Sequence, residues 1–325
     1  MNLPIVRPWH PKLALFGADF DRVLQSGQLT NNGPYVRQFE DAITHILGAP
    51  TLAFSSGMAA LVAMLMAEDV AGGEVICPSF TFCATPHAIR LAGATPVFAD
   101  VDPHTLTLDV KDAECRVTSS TAAIMPVDPF GICFEVPPAW DGVGLPVLID
   151  SAPAFGSIVG NSIKPRGKAQ IFSFHATKPF SVGEGGALVS RDEELIDKAR
   201  KIRNFGQGDS GECSLLGFNG KLQEVNALIG LRQLETWEYR ARGRKESAIK
   251  LRRALLDIPG VRVITAPLGQ DPIWTYQPIL VENRDAVAEG LQRRGVGVRK
   301  YYPACHLMAP YIPNDIHLPV TERVA

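Results

Sequence analysis

The sequence predicts an α/β fold, with a large domain built on a mostly parallel central sheet flanked by helices and a smaller α+β domain at the C-terminus. Two observations predict it. Short apolar runs alternate with helix-like segments between residues 58 and 152, and each run ends at polar or turn residues, which is typical of buried strands in βαβ units. After Pro259 the pattern changes to short strand-like and helix-like stretches that indicate a compact α+β unit.

The predicted elements follow one another along the chain. The strand-like runs are VICPSF (75–80), TPVFADV (95–101), AAIMPVDPFG (122–131) and PVLIDSA (146–152). The helix-like segments lie at 58–69, 83–93, 192–204 and 222–257. The last of these is long, and we interpret it as two helices or as one bent helix that joins two domains. The predicted domains are therefore a large ligand-binding domain, 1–235, and a small domain, 236–325.

Composition and charge narrow the classes of function. Hydrophobic residues make up 46% of the 325 residues and charged residues 20%, as in a globular protein. A formal net charge of −2 without a basic run argues against nucleic acid or an anionic membrane as the main partner. The N-terminus lacks the apolar core of a secretory signal, and the six cysteines show no C-x-x-C spacing. We therefore expect a cytoplasmic protein with reduced thiols and no metal site.

Asp150 closes the apolar run that begins at Pro146. Ligands of open parallel sheets bind at the carboxyl ends of the strands. A carboxylate buried there needs a partner, because an unpaired buried charge is costly. The residue is either a cap of the following turn or the partner of a cationic ligand nitrogen, and its position alone leaves both interpretations open.

Lys178 ends the stretch Phe172-Ser-Phe-His-Ala-Thr-Lys and precedes a glycine-rich bend, Gly183-Glu-Gly-Gly, and a new strand-like run, ALVS. Its neighbours are small or apolar, so the amine is expected to be desolvated. Desolvation lowers the pKa of a lysine and makes the amine available for Schiff-base chemistry. A structural salt bridge is the alternative.

A third feature is the helix start at Ser55-Ser-Gly-Met-Ala-Ala, where free backbone amides and the helix dipole suit a phosphate. The chain has neither a P-loop nor a G-x-G-x-x-G after a strand near its N-terminus, which argues against a nucleotide triphosphatase or a dinucleotide oxidoreductase. Phosphate at residues 56–58, a ring nitrogen at Asp150 and an aldehyde at Lys178 together fit pyridoxal phosphate.

These residues resemble the DegT/DnrJ-type pyridoxal-phosphate-dependent sugar aminotransferases, which have the aspartate aminotransferase fold (type I). The resemblance runs in order through nearly the whole chain. Its segments are Leu29-Thr-Asn-Asn-Gly-Pro, Ser55-Ser-Gly, Pro78-Ser-Phe-Thr-Phe, Val101-Asp-Pro, Asp150-Ser-Ala-Pro-Ala-Phe-Gly, Phe172-Ser-Phe-His-Ala-Thr-Lys, Gly183-Glu-Gly-Gly, Gly217-Phe-Asn-Gly-Lys-Leu-Gln-Glu-Val-Asn-Ala and Val298-Arg-Lys-Tyr-Tyr-Pro.

The resemblance implies a role for each matching residue. Lys178 would hold the cofactor as a Schiff base and carry protons, and Asp150 would hold the pyridine nitrogen. Phe82 would stack on the ring. The residues implied at the phosphate are Ser56, Gly57, Met58 and Ser173. Asn219 would reach the phosphate of the neighbouring subunit, which implies a homodimer with shared active sites.

The implied reaction is transfer of an amino group from glutamate to a keto sugar linked to a nucleotide diphosphate, in amino-sugar and polysaccharide biosynthesis. The segment from Gln28 to Pro34 is similar to that of members acting on 4-keto-6-deoxy hexoses. Two alternatives remain. The first is a dehydratase of the same fold. Such enzymes carry histidine in place of the lysine, so the presence of Lys178 argues against this alternative. A catalytically impaired, cofactor-binding regulatory or partner subunit is the other.

Several positions depart from the family pattern. Met58 replaces a usual threonine, and Pro153 replaces a glutamine or histidine near the phenolic oxygen of the cofactor, where proline cannot donate a hydrogen bond. Asp128 stands where histidine is common. The segment 318–325 begins a helix that in relatives leads to further strands, so we expect an incomplete small domain.

Three other residues carry expectations. His175, three residues before Lys178, is expected to be a packed histidine satisfied by backbone. Tyr302 and His306 lie in a segment that approaches the substrate in relatives.

Overall fold

The computed structural model describes residues 2–140, 144–160, 162–208, 210–312 and 315–325. The strands are β1 (Thr51–Phe54), β2 (Glu74–Pro78), β3 (Thr95–Ala99), β4 (Thr121–Ile124), β5 (Leu148–Asp150), β6 (Ile158–Val159), β7 (Ala169–Ser173), β8 (Gly186–Ser190), β9 (Val261–Val263), β10 (Gln270–Asp271) and β11 (Ile279–Val281). The helices are α1 (Leu13–Ser26), α2 (Pro34–Leu47), α3 (Gly57–Ala67), α4 (Ala84–Leu91), α5 (Val110–Cys115), α6 (Glu193–Ile202), α7 (Glu224–Leu234), α8 (Trp237–Leu256), α9 (Arg284–Arg293) and α10 (Pro319–Val324).

Seven strands form the central sheet, in two hydrogen-bonded groups with the orders β1-β8-β7-β5 and β3-β2-β4. The groups meet side by side, because Ile124 pairs with Val147 and Val127 pairs with Asp150, both in parallel. Strand β8 runs antiparallel to β1 and β7, and the other described pairs of this sheet are parallel. The predicted mostly parallel sheet is confirmed.

Helices cover the sheet, which explains why its strands are apolar on both faces. Every residue of β1, β5, β7 and β8 is buried. Helix α3 (GMAALVAMLMA) is apolar all round because it is enclosed by β7, β8, α4 and α6. This buried helix begins at the edge of the sheet where the strands end, and so its N-terminus points at that edge.

Each of the four strand-like runs contains a strand, although the strands are shorter than the runs. The segment 222–257 forms two helices, α7 and α8, that are separated at Glu235 and Thr236. Trp237, at the start of α8, packs against Phe155 and Phe180 of the preceding part of the chain. Beyond α8, β9 and β11 form an antiparallel pair beside α9. The division into domains at 235/236 stays a prediction.

The six cysteines, all within the described ranges, are free. Among the helices that the structure describes, none combines the length and the apolar character needed to cross a membrane.

Candidate active site

A cavity of about 300 Å³ lies at the carboxyl edge of the central sheet. Its walls come from the segments that follow β2, β4, β5 and β7 and from the N-terminus of α3. The predicted site residues that line it are Ser56, Gly57, Met58, Phe82, Asp150, Ser173 and Lys178. Ser56 and Lys178, which are 122 positions apart in the sequence, therefore face one space, as in ligand sites of open parallel sheets.

The N-terminus of α3 offers free amide groups to this cavity. Ser56 caps the helix, and its Oγ accepts a hydrogen bond of 3.0 Å from Ala59 N. The amides of Gly57 and Met58 have no acceptor within the described residues. A Cβ at Gly57 would lie 2.8 Å from the Cβ of Ser173, so glycine is required for α3 to approach β7 this closely. The result is a helix N-terminus suited to an anion.

Asp150 lies at the end of β5 and is 4% exposed. Its Oδ2 accepts a hydrogen bond of 2.7 Å from Thr85 Oγ1, and its Oδ1 accepts one of 3.1 Å from Ala152 N, which is the predicted turn cap. Burial raises the pKa of this carboxyl, and the two hydrogen bonds and Lys178 oppose the rise. The carboxylate therefore both caps its turn and faces the cavity without an ion-pair partner among the described residues.

Lys178 lines the same cavity, in the turn that follows β7. Burial lowers the pKa of its amine, and the Asp150 carboxylate opposes this shift. In the part of the chain that the structure describes, the amine has no carboxylate within ion-pair distance, which argues against the salt-bridge alternative. The unprotonated amine is the form that reacts with an aldehyde, and a lowered pKa favours it.

Two amide side chains of α7 hold the backbone of the Lys178 loop. Gln233 Oε1 accepts a hydrogen bond of 2.9 Å from Ser181 N, and its amide nitrogen donates to Ser181 O. Asn226 Nδ2 donates to Val182 O and to Glu184 O, at 3.0 and 2.9 Å. The loop is therefore held at residues 181, 182 and 184, where the chain enters the glycine-rich bend.

Phe82 presents its ring at the cavity wall and is 63% exposed. Ser173 Oγ accepts a weak hydrogen bond of 3.3 Å from His175 N, which leaves its own hydrogen free to donate. Asn219 is exposed and lies outside this cavity, where its backbone pairs with Asn204. The structure thus brings together seven of the eight predicted cofactor residues on one chain.

The positions that depart from the family pattern are accommodated in different ways. Pro153 lines the cavity, and its carbonyl accepts a hydrogen bond of 2.8 Å from Thr275 Oγ1. Met58 lines the cavity beside Gly57. Asp128 is completely buried and pairs with Arg166.

The expectation for His175 was half right: its Nδ1 accepts a hydrogen bond of 3.2 Å from the backbone N–H of Thr177, but the ring is not packed. Its side chain is 44% exposed, its Nδ1 lies 2.9 Å from Thr177 Oγ1, and its Nε2 lies 3.5 Å from Glu184. Tyr302 lines the cavity, whereas His306 is buried with its Nδ1 2.7 Å from Ser79 Oγ. The reason is that residues 305–307 turn back onto Ser79, away from the cavity.

Sequence reasoning missed several lining or supporting residues: Thr85, Phe130, Thr275, Tyr276 and Arg299. Thr81 precedes α4, so the contact of its hydroxyl with Thr85 arises from the bend after β2 and had no local sequence signal. Arg299 belongs to a segment that already resembled the family. No group of three or more potential metal ligands is close enough to hold an ion within the described residues.

Known proteins resemble this chain over almost its full length. The profile of the DegT/DnrJ/EryC1/StrS aminotransferase family matches residues 14–325. The chain is 36% identical over 309 residues to the dTDP-4-amino-4,6-dideoxy-D-glucose transaminase of Shigella dysenteriae, which covers 92% of this chain and 84% of that protein. It is 31% identical over 320 residues to the UDP-2-acetamido-2-deoxy-3-oxo-D-glucuronate aminotransferase of Pseudomonas aeruginosa, which covers 95% and 88%.

Solved structures give the same result. The fold matches DesI, crystallised in the presence of its TDP-sugar product, with a TM-score of 0.90 and 35% identity over 99% of this chain and 86% of that one. It matches the aminotransferase PseC of Helicobacter pylori with a TM-score of 0.92 and 28% identity over 100% and 91%. The predicted type I fold is confirmed, and the chain belongs to the DegT/DnrJ/EryC1/StrS aminotransferase family, whose members use pyridoxal phosphate.

Proposed function

We propose that this aminotransferase moves an amino group from glutamate to a keto sugar linked to a nucleotide diphosphate, with a 4-keto-6-deoxy hexose as the favoured acceptor, in amino-sugar biosynthesis. The observation that carries the proposal is a single cavity that joins a desolvated lysine, a buried carboxylate and free helix amides. The nucleotide-sugar class is supported by the names of the relatives, which include a dTDP-sugar transaminase and a UDP-sugar aminotransferase.

The residues present fit pyridoxal phosphate. The free amides of Gly57 and Met58 and the hydroxyls of Ser56 and Ser173 suit its phosphate. Asp150 is a buried carboxylate without a cation, which a protonated ring nitrogen would supply. We propose that Lys178 is the residue that holds the cofactor as a Schiff base, because its amine is desolvated and faces the same space.

The roles of the side chains follow from these positions. The bound cofactor supplies an electron sink for the charge that develops at the substrate carbon. Asp150 keeps the ring nitrogen protonated and so maintains that sink. Lys178, whose pKa burial lowers, takes and returns a proton. Phe82 covers the ring and excludes water from one side.

Substitution of the lysine tests this assignment. Lys178→Ala is expected to abolish turnover and the absorbance band of the covalently bound cofactor, because no other amine is proposed to form the bond. Lys198→Ala is the matched control, since Lys198 lies exposed on α6 and pairs with Glu194. Turnover and the absorbance band both retained in Lys178→Ala would refute the assignment.

The half-reaction with glutamate separates an active aminotransferase from an impaired cofactor-binding subunit. The purified protein is mixed with glutamate and followed by absorbance, and then with a panel of nucleotide-linked keto sugars. An active enzyme converts the cofactor to its amine form and is reset by its sugar acceptor. A protein that binds the cofactor but shows no spectral change with glutamate is the impaired subunit instead.

We also propose a homodimer in which Asn219 of one subunit reaches the cofactor phosphate of the other. The support is that Asn219 is exposed and lies outside the cavity of its own chain. Mixing Lys178→Ala with Asn219→Ala subunits tests the sharing, because each hybrid dimer would contain one intact site. After random exchange, about a quarter of the wild-type activity is expected from closed two-fold symmetry. No gain over the separate variants would contradict shared sites.

The proposed location of the reaction is the cytoplasm. Its support is the set of six free cysteines, which persist in a reducing compartment.

A further inference from the structure

A second buried carboxylate, Asp128, lies directly beside Asp150. It follows β4, its N–H donates a hydrogen bond of 3.0 Å to Asp150 O, and its neighbour Val127 pairs with Asp150 in parallel. The Asp128 side chain is 0% exposed. Two carboxyl groups thus sit on adjacent chain segments at the edge of the sheet where the cofactor is proposed to bind.

Unlike Asp150, Asp128 is fully satisfied by protein groups. It accepts hydrogen bonds of 2.7 Å from Phe134 N and 2.5 Å from Ser151 Oγ. The Arg166 guanidinium binds it through both terminal nitrogens and also donates a bond of 2.6 Å to Phe134 O. Burial alone would lower the pKa of Arg166, but the Asp128 carboxylate reverses this and raises it. The pair is therefore a compensated buried ion pair.

The groups that surround Asp150 determine what this pair does. Besides Asp128 and Lys178, two titratable groups interact with Asp150, namely Cys77 of β2 and Tyr302. Burial raises the pKa of both, so both are uncharged near neutral pH. The same cavity is also lined by His175, Glu184, Tyr276, Arg299 and Tyr301. Among the described residues, the charges that act on the pKa of Asp150 are those of Lys178, which lowers it, and Asp128, which opposes ionisation of Asp150.

We propose that Arg166 is a positioning residue for the reaction: by neutralising Asp128 it keeps Asp150 ionised, and through the Asp128–Ser151 contact it fixes the turn that aims Asp150 at the cofactor ring. The inference rests on the proposed role of Asp150. Ser151 is the residue next to Asp150, and Gln170 Nε2 donates a further bond of 2.6 Å to its Oγ. The same contacts of Asp128 therefore control both the ionisation of Asp150 and the orientation of the turn that carries it.

The test is a pH titration of the Asp150 carboxyl in the apoprotein. Aspartate is labelled with ¹³C at the side-chain carboxyl, and the Asp150 signal is assigned by its loss in Asp150→Asn. In Arg166→Met the midpoint is expected to rise, and the ratio of ionised to neutral Asp150 at a given pH to fall about tenfold, because Asp128 is then uncompensated. In Asp128→Asn the midpoint is expected to fall, and in the double variant to return towards the wild-type value.

Arg203→Met is the matched control. Arg203 forms another buried ion pair, with Glu40, on the far side of β1 from Asp150, and it also donates to Ala53 O. It is expected to lower stability without moving the Asp150 midpoint. A second readout is the ¹⁵N shift of the labelled cofactor ring in the holoenzyme, which is expected to move towards the unprotonated value in Arg166→Met and back in the double variant.

An unchanged midpoint in folded Arg166→Met, or an equal change in Arg203→Met, would overturn the proposal. If Arg166→Met does not fold, Asp128→Asn decides alone, and a midpoint that does not fall would overturn it. The titration uses apoprotein and so does not depend on cofactor chemistry. If the wild type did not bind pyridoxal phosphate, the proposed function would be refuted, but the result of the titration would still be valid.

Discussion

Thr85 offers a direct measurement of how the fold supports the buried Asp150 charge. Its Oγ1 donates to Asp150 Oδ2 at 2.7 Å and lies 2.8 Å from Thr81 Oγ1, and both threonines are buried. Thr85→Val keeps the shape of the side chain and removes the donor. Thr81→Val is the matched control, because it removes the threonine–threonine bond and leaves the bond to Asp150.

The two variants should differ in size of effect. A hydrogen bond to a charged group contributes about 1.5–3 kcal/mol, and one between neutral groups about 1 kcal/mol. Thr81→Val is therefore expected to lower the free energy of unfolding by about 1 kcal/mol. Thr85→Val loses both bonds and is expected to cost about 2.5–4 kcal/mol near neutral pH.

The extra cost should depend on pH with a definite sign. The folded-state pKa of Asp150 is raised by burial, and the Thr85 bond opposes this rise because it favours the ionised form. The contribution of Thr85 is thus fully present above the folded pKa that Asp150 has in Thr85→Val, which is higher than that in the wild type. It is lost as the pH falls through that pKa, since a protonated carboxyl binds the hydroxyl only as a neutral partner.

Urea unfolding of the apoprotein, measured near neutral pH and at acidic pH, gives these free energies. The difference between Thr85→Val and Thr81→Val should be largest at neutral pH and shrink in acid. Equal losses at neutral pH, or a difference that does not change with pH, would refute the view that Thr85 stabilises an ionised Asp150.

Two further predictions concern the support of the site. Gly57→Ala places a Cβ 2.8 Å from Ser173 Cβ, so overpacking should lower the free energy of unfolding by about 1–3 kcal/mol. In a binding titration the free energy of cofactor binding should weaken by a similar amount. The control Gly243→Ala meets open space in α8 and should raise the free energy of unfolding by about 0.5–1 kcal/mol. Glu40→Gln breaks the buried pair with Arg203 and should lower the unfolding free energy by about 3–5 kcal/mol, and a loss below 1 kcal/mol would show that the pair is dispensable.

The parts of the fold that local patterns encode could be predicted from the sequence. The four apolar runs became strands and 58–69 became a buried helix, because alternating short apolar segments specify a parallel sheet covered on both sides. The position of the break at residues 235 and 236 within 222–257 could not be predicted, because helix propensity continues through it. Tertiary contacts of Trp237 with Phe155 and Phe180 accompany the break.

The sequence predicts those site residues whose neighbours in the chain carry a signal of their chemistry. It does not predict the residues that contact them from distant segments. Lys178, Asp150 and the Ser56 helix start each had a local signal. The partner of Asp150 is Thr85, and the partner of Asp128 is Arg166, which are 65 and 38 positions away. The contact of His175 with Glu184 was missed for the same reason, because it depends on the bend between β7 and β8.

Comparison of Asp128 with Asp150 explains why one of two neighbouring buried carboxylates is free to bind a ligand. Removing a carboxylate from water costs several kcal/mol unless a cation and hydrogen bonds compensate it. Asp128 accepts hydrogen bonds from a guanidinium, a backbone amide and a hydroxyl, so its oxygens are already occupied by protein groups. Asp150 receives a hydroxyl and a backbone amide but no cation from its own chain within the described residues. Of these two adjacent carboxylates, Asp150 is the one left without an ion-pair partner among the described residues, and it lies in the wall of the cavity that also contains Lys178.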